Sequence, residues 1–419
     1  MYDIIIIGGG AAGLFAAAAS SEFLKGKELR GLILEGGPEP GRKLLLTGAG
    51  QCNLTHGGPI RDFIKHYGNN GGKIRSALYG FSNEALCRFL AGEGLRTAMR
   101  EDGKIYPASF SAREVRDFLV NKAEQNGFEI RCGRKVRELK PAEDGFRIRT
   151  EREEYTAKRV LVCTGGCSYP ATGSDGSLFP VLRDLGLEVA EPKPALVPVS
   201  VENYPYGGLS GASVSGVRIA AEEGVSEGDL LFTHRAFSGP AALHIARYVH
   251  PGARIVIDYC PGTTREETRG MFRAVRQTSA KKELFTVFRE IFGPLGLPEA
   301  LLRVFFETEG IDFRKRFAES SGAEADRILG RIHRDTFIVS GTAGFSEAMV
   351  TCGGVALPEA EPKTFESTRM PGLYFAGEVL DADGDTGGYN LQFAFSSAWA
   401  AMKDICRQCG SERGIQNDH

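Results

Sequence analysis

Long apolar runs are missing from this chain of 419 residues. No segment reaches roughly 18 uninterrupted apolar residues, so no membrane-crossing helix is expected. The apolar start, Met1 to Ala19, lacks a basic leader and is broken by Gly8, Gly9, Gly10 and Gly13. A secretory signal is therefore not expected. Net charge is almost absent: 51 Lys and Arg face 53 Asp and Glu. That balance argues against a polybasic surface for membranes or nucleic acid. Cysteine is not arranged as a disulfide framework. The nine Cys are an odd number spread along the whole chain, which fits a reducing, cytoplasmic setting. Cys406 and Cys409 form the only CxxC, and without a second pair no zinc site is expected. With seven His, no metal-binding His cluster, Ser/His/Asp triad or His-anchored covalent flavin motif is readable. Repeats and low-complexity segments are also lacking.

Glycine, in contrast, is abundant, at 54 residues. That is about twice the ordinary share of ~7%. Without a collagen period, such glycines mark turns and close approaches of backbone to a ligand. The clearest group follows Ile4-Ile5-Ile6-Ile7, a β-branched run that reads as a buried parallel strand. Gly8, Gly10 and Gly13 then complete G-x-G-x-x-G, with Ala12 inside the turn and a helix-forming stretch after it. Gly8 suits the tight turn, Gly10 the approach to a pyrophosphate, and Gly13 the close packing of helix on strand. The helix amino end offers N–H groups and positive charge to phosphates. Leu32-Ile33-Leu34-Glu35 reads as the second strand, ending 22 residues after Gly13. A carboxylate there accepts hydrogen bonds from both ribose hydroxyls and repels a 2′-phosphate. The site is thus predicted for FAD or NAD.

Two later segments favour FAD. Val160 to Gly166 is an apolar strand running into Thr164-Gly165-Gly166. Gly372 to Glu378 is another strand with an acidic end, and a helix is predicted from Leu391 to Arg407. In flavoproteins with one dinucleotide fold, such a last strand serves the ribityl chain. The following helix points its positive end at the flavin N1–C2=O edge. A second G-x-G-x-x-G is absent, so either NAD(P)H visits the flavin transiently as an electron donor or another donor reduces it.

Further motifs carry a resemblance. They run from Gly41-Arg42-Lys43 through Thr47 to Thr55, then from Thr164 to Ser174. Leu231-Phe232-Thr233-His234, Ser238-Gly239-Pro240 and Thr351 to Val355 follow, and Phe375 to Gln392 completes the set. The chain resembles the BaiN/RdsA-type (YhiN-like) FAD-dependent oxidoreductases along nearly its whole length. The resemblance implies noncovalent FAD, with Arg42 and Lys43 reaching the adenosine or pyrophosphate end. It places Val136 against the adenine and Cys52 and Asn53 beside the isoalloxazine. Thr164, Gly165, Gly377, Glu378, Asp385, Gly388, Asn390, Leu391 and Gln392 are the remaining cofactor candidates. Tyr389, His234 and Tyr169 are candidates for proton donor or substrate contact. Gln51 stands where the family usually has Arg, which removes a fixed positive charge near the cofactor. Asp381, Asp383 and Asp385 lack the Gly and Glu of a calcium loop, so no metal is expected.

The fold class expected is α/β: a discontinuous, Rossmann-like FAD domain of residues 1–190 and 336–419. Glu191-Pro192-Lys193-Pro194 reads as the outgoing linker. Between the two parts lie a β-rich, barrel-like insertion, 191–262, and a helical subdomain, 263–335. The aromatic spacing Leu284-Phe285, Val287-Phe288, Ile291-Phe292 reads as core packing.

Three functions compete. The leading one is reduction of an activated, enone-type C=C in a small, steroid-like molecule with electrons from NAD(P)H. The second is an amine oxidase of the aminoacetone type that passes electrons to O₂. The third is a flavin-carrying protein that binds or modifies RNA, against which the near-neutral charge speaks.

Overall fold

The computed structural model describes residues 1–24, 26 and 29–415. It divides into two compact units, Met1–Lys193 with Met349–His419, and Pro194–Ala348. Of the expected C-terminal segment, residues 416–419 lie outside the described residues. Among the described residues no helix is long and apolar enough to cross a membrane.

The first unit is built on a seven-stranded sheet. Its strands run in the order Phe128–Arg131, Gly31–Leu34, Tyr2–Ile7, Glu154–Val162, Gly145–Thr150 and Val136–Ala142. The isoleucine run is buried from Ile4 to Ile7 because it has parallel partners on both sides. Glu154–Val162 changes partner halfway. Its first half alternates buried and exposed residues and pairs antiparallel with Gly145–Thr150. Its last residues, Val160-Leu161-Val162, are continuously apolar and pair in parallel with Leu373–Phe375. The change of pattern follows the change from a one-sided to a two-sided environment. As a result the carboxyl ends of four parallel strands meet at Gly8, Glu35, Cys163 and Ala376. That is where ligands bind in open α/β sheets. The helix Ala11–Ala19, six of whose nine residues are alanine, is buried against the helices Ala112–Gln125 and Tyr389–Ile415.

The second unit is a closed barrel of six strands: Val199–Val201, Phe237–Ser238, Val225–Phe232, Ser213–Ala220, Arg254–Asp258 and Asp335–Thr342. Helices Arg265–Val275, Leu284–Phe292, Glu299–Thr308 and Gly322–Arg334 intervene between the last two strands. Those two strands are nevertheless paired, Ile255 with Phe337. Barrel and helices share one hydrophobic core, so the insertion is a single unit rather than a β part and a helical part. The boundaries shift for the same reason. Asp335–Thr342 closes the barrel, and the chain returns to the first unit only at Met349. The expected linker is also ordered: Val189–Ala195 is a strand paired with Val350–Val355. A strand in a two-stranded sheet has a free edge that tolerates Pro192 and Pro194.

Candidate cofactor site

A cleft opens at the carboxyl ends of the parallel strands. Of the sequence-predicted residues it is lined by Gly8, Gly10, Ala12, Glu35, Arg42, Lys43, Val136, Thr164, Gly165, Gly377, Glu378, Asn390 and Leu391. The glycines of the first turn have distinct reasons. Gly8 has φ +105°, and an added Cβ would lie 2.5 Å from the Cys163 carbonyl oxygen. At Gly13 it would lie 2.1 Å from the Gly8 carbonyl oxygen, so Gly13 packs the turn and does not face the cleft. At Gly10 a Cβ would meet nothing within 4 Å. That side opens to the cleft, and no side chain caps the helix amides there.

Glu35 is held in place by its own backbone surroundings. Its Oε2 accepts from Gly9 N–H at 2.9 Å and its Oε1 from Gly37 N–H at 2.6 Å. Each carboxylate oxygen keeps a further lone pair for a ligand hydroxyl. Arg42, half-buried, borders the same end. The loop 173–175 forms the opposing wall. Within it, the Ser174 hydroxyl is buried and has no hydrogen-bond partner.

Lys43, expected to reach the adenosine or pyrophosphate end, is engaged by the protein's own side chains. Its Nζ lies 2.6 Å from Glu378 Oε2 and 2.5 Å from Ser168 Oγ. Glu378 Oε1 accepts from Ser168 Oγ at 2.7 Å and from Thr351 N–H at 2.9 Å. Ser168 and Thr351 both lie in motifs quoted above. No residue spacing marks them as site residues, because they are joined only by the fold, through the Glu378 carboxylate.

Six of the predicted cofactor residues do not line the cleft, and neither do the proton-donor candidates Tyr389, Tyr169 and His234. Gly13 is one, as described. Cys52 is fully buried in the alanine-rich core, and burial pushes its thiol up to about 12. With its amide oxygen turned to Gly388, Asn53 accepts that N–H at 3.0 Å and donates to the carbonyls of Ile105 and Thr55. Gly388 has φ +94°, and a Cβ there would lie 2.6 Å from the Thr55 carbonyl. Its glycine requirement therefore comes from the protein's own backbone. Gln392 is an internal brace, accepting from Thr55 Oγ1 and donating to the Phe81 carbonyl and Ser396. Asp385 pairs with His66 Nδ1 at 3.0 Å.

Gln51 is itself held by a cation. Arg100 donates to Gln51 Oε1 at 2.5 Å, and its guanidinium lies 4.4 Å from the centre of the Tyr106 ring. Among the proton-donor candidates, Tyr389 is the best ordered by contacts. Its ring stacks with His66 at 4.0 Å and with His56 at 5.5 Å between centroids. Burial, reinforced by Asp385, pushes its phenol up to about 12. Tyr169 is half-buried and holds φ +53° at the start of the loop over the cleft. His234 belongs to the second unit, between Val225–Phe232 and Phe237–Ser238.

The family model described as "HI0933-like protein Rossmann domain" matches residues 2–404. A "Ribosomal RNA dihydrouridine synthase" of Haemophilus influenzae is 33% identical over 412 residues, covering 96% of this chain and 98% of that protein. A "3-dehydro-bile acid delta(4,6)-reductase" of Clostridium scindens is 30% identical over 414 residues, with the same two coverages, 96% and 98%. Among solved structures, a 3-ketosteroid-Δ4-(5α)-dehydrogenase of Rhodococcus jostii RHA1 aligns with a TM-score of 0.52. It covers 97% of this chain and 96% of its own at 16% identity, a likeness of fold.

Proposed function

The chain belongs to the HI0933-like family and is a flavoprotein oxidoreductase, and from that premise we propose that its cleft holds FAD noncovalently and that the enzyme saturates a C=C bond conjugated with a carbonyl. The fit of the cleft to a flavin dinucleotide is the observation that carries this reading. Uncapped helix amides at Gly10 suit a pyrophosphate, and the Glu35 carboxylate suits a ribose. The buried Ser174 hydroxyl has no protein partner of its own. When bound, FAD supplies hydride transfer to carbon. The names of the two relatives describe one chemistry on different molecules, the saturation of a ring C=C next to a carbonyl.

The protein's own part is position and protons. The amino end of Tyr389–Ile415 would favour negative charge on a flavin ring held beside it. Tyr389 keeps its proton at neutral pH and serves as donor to the carbon next to the carbonyl. Tyr169 is the alternative donor. NAD(P)H is the proposed electron source, meeting the flavin transiently. A small enone, steroid-like in outline, is the substrate of the leading reading.

One observation favours a second reading, in which the C=C belongs to a uracil in RNA. Arg276, Lys281, Arg314 and Arg316 are exposed on the second unit. None of the four has an ion-pair partner among the described residues. Such a group is suited to phosphate contacts.

Anaerobic titration with NADH and NADPH tests the reductase reading: one of them bleaches the flavin band within seconds. The reduced enzyme is then offered a steroid dienone and a ribosomal RNA lacking dihydrouridine. Mass spectrometry shows which gains two hydrogens. Flavin that neither nicotinamide reduces, but that amines reduce with release of peroxide, would overturn the proposal in favour of an oxidase.

A further inference from the structure

We infer that Ser174 is a cofactor ligand, its hydroxyl hydrogen-bonding an oxygen of the ADP half of the bound dinucleotide; the inference rests on the reading of the cleft as an FAD site. Ser174 is 6% exposed, and its Oγ has no hydrogen-bond partner although it lies in the wall of the cleft. Buried hydroxyls are nearly always paired, because desolvating one without a partner costs free energy. An unpaired one at the edge of a cleft marks a group whose partner arrives with the ligand.

Its neighbours fix which part of the ligand that is. An added Cβ on Gly165 would lie 2.8 Å from Ser174 Oγ, so the hydroxyl sits against the Thr-Gly-Gly turn, next to the first glycine turn. An added Cβ on Gly173 would lie 3.7 Å from Glu35 Oε1, so the same loop approaches the ribose carboxylate. Asp175 is tied down by an ion pair with Lys135. Ser174 therefore stands between Glu35 and the glycine turn, where an adenosine ribose passes into a pyrophosphate. Gly165, at φ +71°, is required because any side chain there would fill the space of the hydroxyl.

The test uses the full-length protein and its Ser174→Ala variant, each stripped of flavin and titrated with FAD and with ADP. A net hydrogen bond predicts that both ligands bind about 2- to 10-fold more weakly to the variant. The thermal midpoint of the flavin-free variant should equal or exceed that of the wild type, because no protein hydrogen bond is lost. A merely structural serine would lower that midpoint instead, and this result overturns the inference. Equal affinity of wild type and variant for both ligands also overturns it while leaving the FAD reading intact. A wild-type protein that binds neither FAD nor ADP overturns both.

Discussion

Lys43 Nζ lies 2.6 Å from Glu378 Oε2, joining the first glycine turn's neighbourhood to a residue 335 positions later. Both side chains are about four-fifths buried, at 23% and 20% exposure. Removing one partner of a fully buried pair costs roughly 3–5 kcal/mol, and the residual exposure here lowers the expectation to about 1–3 kcal/mol. Lys43→Met should thus lower the thermal midpoint by several degrees. Glu378→Gln added to it should restore part of the loss, because the orphaned charge is gone. Calorimetry of the two single variants and the double variant measures the coupling. Strictly additive midpoints would show that the pair does not act as one.

Glu35→Ala removes the acceptor for two backbone amides and the proposed acceptor for a ribose. Hydrogen bonds to charged groups contribute roughly 1.5–3 kcal/mol each. FAD affinity should fall by about one to two decades. Flavin absorbance after exhaustive dialysis reads this directly, and a variant that stays fully yellow contradicts the assignment.

Gly388 is a cofactor candidate by sequence, so Gly388→Val would be expected to act on flavin binding alone. The structure changes that expectation. A Cβ 2.6 Å from the Thr55 carbonyl, at φ +94°, forces the chain itself to move. The flavin-free variant should therefore lose about 1–3 kcal/mol of stability. An unchanged melting curve of the apoprotein would show that the Thr55 backbone yields without cost.

The proposed donor makes a pH prediction. Tyr389 ionises near 10 when unfolded and only at about 12 when folded. Folding therefore favours the neutral phenol. That contribution is fully present below pH 10 and is lost as the pH rises toward 12. Tyr389→Phe keeps the stacked ring but removes the ionisable group, so the variant should lose less stability than wild type across this window. Its turnover should fall by about 10²–10⁴-fold with FAD affinity preserved. Unaltered turnover assigns the proton to another group.

The sequence by itself determined the elements whose signals are local. Ile4–Ile7, the spacing of Gly8, Gly10 and Gly13, and the acid at Glu35 all lie within one strand–turn–helix–strand unit. There, backbone sterics and strand periodicity leave little choice. Barrel strands inside the insertion were also legible, from short apolar runs between glycines. Tertiary structure alone decided where the insertion ends. Asp335–Thr342 carries the same alternating pattern whichever sheet it joins, and its pairing with Arg254–Asp258 assigns it to the barrel. It alone decided that Cys52, Asn53, Gly388 and Gln392 brace the protein and do not line the cleft. The lone hydroxyl of Ser174 and the union of Lys43 with Glu378 belong to the same class. Each depends on segments far apart in the chain meeting at distances of a few ångströms, and no residue spacing encodes that approach.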